Sequence, residues 1–285
     1  MKLLIAGKNS YIGKNIGEFV RNQEPDSEIC AISVRDDGWK QMDLSRFDAV
    51  VFAAAIVHRK DITDAELYHQ VNACLPYEFA MQAKAQGVKR FLFLSTAAVY
   101  GVGKGLPEGN IISSETPLEP EGPYGQSKLE GERLLSQLAD DSFLVSVVRP
   151  MNVYGKDCPG NYIPMFKKIT RLLPLLPKAF LNARQGMIHV EHLSRLCYLA
   201  LKADKGGVYH AQDDNPVSSY EIMYSLARGM GKKKASLPCH TAAKLFAWLG
   251  LVVKLFGGVA YTQELADCPL GQYVTEDTRK LLEEV

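Results

Sequence analysis

The chain has 285 residues, 47% hydrophobic and 23% charged, with a formal net charge of +1. That length and apolar fraction suit one large or two unequal globular units and exclude a disordered or fibrous chain, while the near-zero charge gives no general attraction to nucleic acid. Six cysteines are scattered with no C-x-x-C and no zinc-type Cys/His spacing, so no metal site is expected and a reducing cytoplasm is the simplest setting.

In chain order, Lys2 to Ala6 reads as an apolar strand with no cleavage-type site after it, which argues against a signal peptide. It runs into Gly7-Lys8-Asn9-Ser10-Tyr11-Ile12-Gly13 and a helix over 11–21. Strands follow over 28–34 and 49–55, then a long helix over 64–86, a strand over 90–95, a helix beginning near Tyr124 and a strand over 144–149. Such alternation implies parallel strands joined by right-handed helical crossovers. The expected class is α/β, a Rossmann-type doubly wound parallel sheet in residues 1–150. Residues 151–285 are expected to form a smaller substrate-binding and capping region, some of it returning to the sheet. Pro159, Pro164, Pro174 and Pro177 interrupt its helices. The run Lys232, Lys233, Lys234 reads as a solvated turn. Ala242 to Ala260 is apolar except for Lys244 and Lys254, and the Gly257-Gly258 pair breaks it; a buried or interface helix explains it better than a membrane span, so membrane association is not expected.

Three Tyr-x-x-x-Lys pairs occur. Tyr100 to Lys104 contains two glycines and reads as a loop, and no hydroxyl-bearing strand end precedes Tyr198 to Lys202. Tyr124 to Lys128 starts a helix downstream of Ser95-Thr96, which closes the strand Phe91 to Leu94. Residues four apart on a helix share a face about 5–6 Å apart, so Lys128 is expected to favour the phenolate of Tyr124 and make it a proton acceptor. The glycine turn after the first strand suits a dinucleotide: Gly7 for the tight turn, Gly13 for close helix packing, and a helix N-terminus offering N–H groups to a pyrophosphate.

With these residues in place, the chain resembles an extended short-chain dehydrogenase/reductase of the NAD-dependent epimerase/dehydratase family, in its nucleotide-sugar branch, most clearly from Met1 to about Met230. Ser10 replaces the middle glycine of the family's turn. The resemblance puts the ribose-recognising position at Ser33, where a carboxylate would select NAD; Ser33 with Arg35 and Lys8 leans toward NADP, and Asp36 and Asp37 leave NAD open. Asp43 and Leu44 match an adenine contact, Ala53, Ala54 and Ala55 a small-residue wall, and Asn72 an asparagine that supports the active site. Thr96 takes the position of the catalytic hydroxyl that holds the substrate oxygen, Tyr124 that of the acid/base, and Lys128 that of the lysine that lowers the tyrosine pKa and contacts the nicotinamide ribose.

Ala97 and Ala98 stand where 4,6-dehydratases carry Asp-Glu, which argues against dehydration. Asn152, Asn161 and His189 match substrate contacts; the arginine expected before His189 is Gln185, with Arg184 adjacent. The resemblance thus implies a UDP-hexose 4-epimerase working through a 4-keto intermediate, with an NADPH-dependent 4-ketoreductase as the alternative and homodimerisation through the two long helices. A non-catalytic dinucleotide sensor of the same fold would not need the Tyr124/Lys128 pair.

Overall fold

Six apolar runs line up side by side in one sheet. A computed structural model describes residues 1–57, 64–101, 110–160, 162–239 and 256–285. The sheet order is β10-β6-β4-β3-β1-β2, formed by β1 (Lys2–Ala6), β2 (Glu28–Ile32), β3 (Ala49–Phe52), β4 (Arg90–Leu94), β6 (Leu144–Pro150) and β10 (Gly207–Ala211). Every neighbouring pair is parallel, with Leu3 opposite Ala49, Ala49 opposite Arg90, and Arg90 opposite Leu144. Strands such as Ala49–Phe52, buried at every residue, are what a parallel sheet covered on both faces requires.

One face is covered by α1 (Tyr11–Gln23) and α6 (Val190–Lys202), through Ile16, Val20, Leu193 and Leu196. The other is covered by α3 (Leu75–Ala85) and α4 (Gly122–Ser136), through Phe79, Ala83 and Leu135 with Trp39 and Phe143. This is a Rossmann-type doubly wound sheet. The strand order reverses between β1 and β3, and in such sheets ligands bind outside the carboxyl ends of the strands at that switch point. Gly7 and Ala53, the first residues after the two strands, stand there.

The helix expected over 64–86 is not continuous. It comprises α2 (Ala65–His69), a π-helical turn Gln70–Cys74, and α3. The reason is Pro76, which has no N–H and whose ring clashes with the carbonyl four residues back, that of Asn72. Helix α4 packs tightly on the widened turn: a Cβ on Gly131 would stand 2.6 Å from the Asn72 carbonyl oxygen.

Beyond the sheet, β5 (Asn110–Ile112) pairs with β12 (Val259–Tyr261), β7 (Asn152–Tyr154) with β9 (Met187–His189), and β8 (Leu176–Lys178) with β11 (Ser236–Pro238). Helices α5 (Tyr162–Leu172), α7 (Ser219–Gly229), α8 (Gln263–Ala266) and α9 (Thr278–Glu284) complete this part. Its own core is built by Phe166, Phe180, Ile222, Leu226 and Leu282. Of the apolar segment read as a helix, residues 242–255 lie outside the described residues. Its end departs from that reading, because Val259 and Ala260 are strand residues of β12.

Candidate active site

A cavity of about 980 Å³ opens over the switch point, at the upper end of the roughly 300–1,000 Å³ usual for ligand sites. Gly7 to Ile12 line its middle, Ser33 to Asp37 with Trp39 one end, and Ser95, Tyr124, Lys128, Cys158 and Pro159 the other. Ala53, Ala54, Ala55, Ile56 and Val57 form a wall. Gly13 is buried behind the turn, where a Cβ would meet Ile5 Cγ2 at 2.9 Å.

The turn has the shape of an anion cradle. Gly7 has φ +119°, and a Cβ there would lie 2.8 Å from the Ala54 nitrogen. Gly7→Ala is therefore expected to cost about 1–3 kcal/mol and to weaken dinucleotide binding, measured by urea unfolding and by titration with NADH. Ser10 caps α1, its Oγ accepting from Gly13 N at 3.1 Å. The serine hydroxyl is thus engaged inward, and the N–H groups of Tyr11 and Ile12, which have no acceptor within the helix by position, remain for a phosphate. A cavity of this volume, with a glycine turn in the middle and Tyr124 and Lys128 at one end, fits a dinucleotide.

At the catalytic end, β4 delivers Ser95 and Thr96, and α4 delivers Tyr124 and Lys128. Pro123 in the first turn of α4 suits a helix start. Desolvation raises the Tyr124 pKa, and a hydrogen bond with the Thr96 hydroxyl opposes that rise. Thr96 Oγ1 also accepts from Ala98 N, capping the short 3₁₀ turn Ala97–Tyr100. Lys128 is 2% exposed; its Nζ donates to the Leu94 carbonyl at 2.7 Å and lies 4.5 Å from the Phe93 ring centroid. The expected lowering of the Tyr124 pKa by Lys128 is therefore not found among the chain's own interactions. The four-residue spacing sets the two backbone positions on one face, but the strand-end carbonyl decides where the ammonium points.

Burial pushes the Lys128 ammonium down to about 7, with the Glu132 carboxylate opposing. An unfolded lysine titrates near 10.4, so between those values the unfolded chain holds the extra proton and stability rises with pH, by up to about 1.4 kcal/mol per unit. Lys128→Met is expected to remove that part of the slope, read by urea unfolding at about pH 7 and about pH 9.

Beneath this lysine lies a buried network that the sequence reading missed. Ser95 Oγ donates to Glu132, and Arg149 on β6 forks onto the same carboxylate, with Nη2 to Oε2 at 2.6 Å. Arg149 Nη1 donates to the Tyr100 hydroxyl at 2.8 Å, which in turn meets His210 Nε2 at 2.7 Å. Burial and the Arg149 cation hold His210 down to about 4, so it is neutral near pH 7 and accepts the tyrosine proton. Asn72, fully buried, clamps Ile56 through both backbone groups at 2.9 Å and reaches Ser127 Oγ at 3.1 Å. It thereby ties the cavity wall to the catalytic helix.

Other expected residues stand elsewhere. Asp43 and Leu44 do not line the cavity: Asp43 is exposed and accepts from Ser45 N and Oγ, while Leu44 is buried in the core beside Trp39. Trp39, carried by the 3₁₀ turn Asp37–Gln41 and invisible to periodicity, lines that end instead. Asn152 is exposed at the start of β7, and Asn161 lies outside the described residues. Arg184 is ion-paired with Glu221 at 2.6 Å and does not line the cavity, while Gln185 is buried and donates to Ser219. His189 is half-buried, with its ring edge-on to Tyr154 and its backbone N–H donating to the Asp213 carboxylate. Residues 3–211 match the NAD dependent epimerase/dehydratase family.

The chain belongs to that family. A UDP-glucose 4-epimerase of Vibrio cholerae is 30% identical over 274 residues, which is 90% of this chain and 82% of the relative. An Escherichia coli O157:H7 protein, N-acetyl-alpha-D-glucosaminyl-diphospho-ditrans,octacis-undecaprenol 4-epimerase, is 28% identical over 82% of this chain and 74% of its own length. Among solved structures, UDP-glucuronic acid 4-epimerase from Bacillus cereus in complex with NAD superposes with a TM-score of 0.73 at 21% identity, covering 99% of this chain and 96% of that one. That likeness extends the family's fold across the C-terminal region as well as the sheet.

Proposed function

We propose that this family member is a nucleotide-sugar 4-epimerase acting on a UDP-linked hexose through a 4-keto sugar. The observation that carries the reading is Tyr124 and Lys128 lining one end of a cavity whose middle is a glycine turn, with the Thr96 hydroxyl hydrogen-bonded to Tyr124. The Vibrio cholerae relative supports it across nine-tenths of the chain. The dinucleotide, when bound, would supply the hydride acceptor for C4. Tyr124 takes the proton from O4 and gives it back after the sugar has turned; the Thr96 hydroxyl holds that oxygen, and Lys128 holds the ribose. Neither Ala97 nor Ala98 can move a proton, which leaves dehydration without the base and acid that loss of water needs.

In the same reading, Gly7, Lys8, Asn9, Ser10, Tyr11, Ile12 and Gly13 form the pyrophosphate turn, and Ala53 to Ala55 form the wall beside it. Residues 151–285 hold the sugar nucleotide, with Asn152, Asn161 and His189 as contacts. Arg184, paired with Glu221 in the free chain, would have to leave that carboxylate to reach a diphosphate. Homodimerisation through the α2–α3 unit and α4 is supported by Leu67 on α2 and Met81 on α3, both exposed. A second reading, an NADPH-dependent 4-ketoreductase, is favoured by Lys8 and Arg35 lining the cavity with Ser33 at the ribose position; Asp36 and Asp37 line the same end and oppose a 2′-phosphate. Identifying the dinucleotide released on denaturing the purified protein separates the two. Retained NAD⁺ supports the epimerase, and an emptied protein that binds NADPH far better than NADH supports the reductase.

A further inference from the structure

The chain as a whole balances 33 basic residues against 32 acidic ones, yet residues 162–184 and 228–239 together hold nine lysines and arginines and no aspartate or glutamate. These two segments lie side by side. β11 pairs in parallel with β8, and the Lys234 ammonium donates to the carbonyls of Thr170 and Leu173 at the end of α5. The basic run read from sequence as a solvated turn is therefore partly an anchor that locks the second segment onto the first.

The joint face is apolar as well as basic. Leu172 is 72% exposed, Leu237 50% and Leu175 41%. Arg184 and Arg228 are paired with Glu221 and Glu283. Among the described residues Lys168, Arg171, Lys232 and Lys233 are exposed and have no carboxylate partner. Exposed leucines framed by unpaired cations are the composition of a surface that lies on an anionic bilayer. The position also suits the site: α5 begins three residues after Pro159 at the cavity and runs about 15 Å to Leu172.

We propose that this face docks on an anionic lipid bilayer, with the leucines at the acyl boundary and the cations at the headgroups. Two other occupants fit less well. A second copy of the chain meeting it through a two-fold axis would set these cations against themselves, and a nucleic acid would leave the leucines unburied. No helix of the described residues is long and apolar enough to cross a membrane, so the contact is with the surface. The proposal is independent of the reaction assigned above.

The test is co-sedimentation of the full chain with vesicles of phosphatidylcholine alone and of phosphatidylcholine mixed with phosphatidylglycerol. The chain is expected to bind the mixed vesicles selectively and to lose binding as salt rises. At about 1 kcal/mol per cation near the surface, loss of three cations alone weakens binding about 100-fold, so the triple variant Arg171→Glu, Lys232→Glu, Lys233→Glu, which also adds three repelling charges, should bind more than about 100-fold more weakly. Leu172→Ser with Leu237→Ser should also weaken binding to the mixed vesicles, while turnover of a soluble UDP-hexose stays at the unmutated level in both variants. Equal binding to both vesicle types, or a charge-reversed variant that binds as well as the original, would overturn the proposal. So would sedimentation velocity showing that the leucine variant converts a dimer to monomers without changing vesicle binding.

Discussion

Tyr124→Phe is expected to lower kcat by about 10²- to 10⁴-fold, the usual contribution of a positioned acid/base, with dinucleotide affinity nearly unchanged. The substitution removes one oxygen and leaves a ring that can keep its edge-on packing against Tyr68, whose centroid is 6.5 Å away. Because desolvation raises the Tyr124 pKa while the Thr96 hydroxyl lowers it, Thr96→Val should shift the tyrosine's limb of the pH–rate profile to higher pH. A purely structural role for Thr96 would lower stability without moving that limb. Single-turnover rates and NADH titration on the two variants read both effects, and turnover at the unmutated rate in Tyr124→Phe would remove the tyrosine from the mechanism.

Arg149→Met should destabilise the fold by about 3–5 kcal/mol, the cost of leaving one member of a buried ion pair without its partner. Glu132 and Arg149 are 7% exposed each. With the guanidinium gone, the carboxylate keeps the Ser95 hydroxyl and loses the fork that neutralises it. The double variant Arg149→Met, Glu132→Met should recover most of that loss, since two packed apolar side chains need no compensation. Urea unfolding of the single and double variants checks this. The double variant should also lower the Lys128 pKa further, because Glu132 is the group opposing its fall.

Five of the six sheet strands were legible because each is a short apolar run bounded by turn residues, whereas β10 was expected only as an unspecified segment returning to the sheet. Strand boundaries came within three residues, as at Ala49–Phe52 against the expected 49–55. The Tyr124/Lys128 pair was legible because both residues sit on one helix at a fixed spacing. The Arg149–Glu132 pair was not, since its members lie on different elements and only the packing of α4 against β6 brings them together. The π-helical turn was hidden for a different reason: apolar periodicity runs straight through Gln70–Cys74, and the interruption comes from Pro76 further along. Arg184 was placed by adjacency to the expected position, yet Glu221, which also caps α7, captures its guanidinium. Asp43 was placed by counting from a motif, whereas its carboxylate closes its own turn with Ser45.

Supplying the purified protein with UDP-glucose that carries deuterium at C4, with no added cofactor, tests the assignment most directly. Hydride removal and return within one site predicts UDP-galactose that retains the deuterium at C4, read by NMR and mass spectrometry. Absence of the inverted sugar, or an inverted sugar that has lost the deuterium, would contradict a 4-epimerase that recycles its cofactor in place.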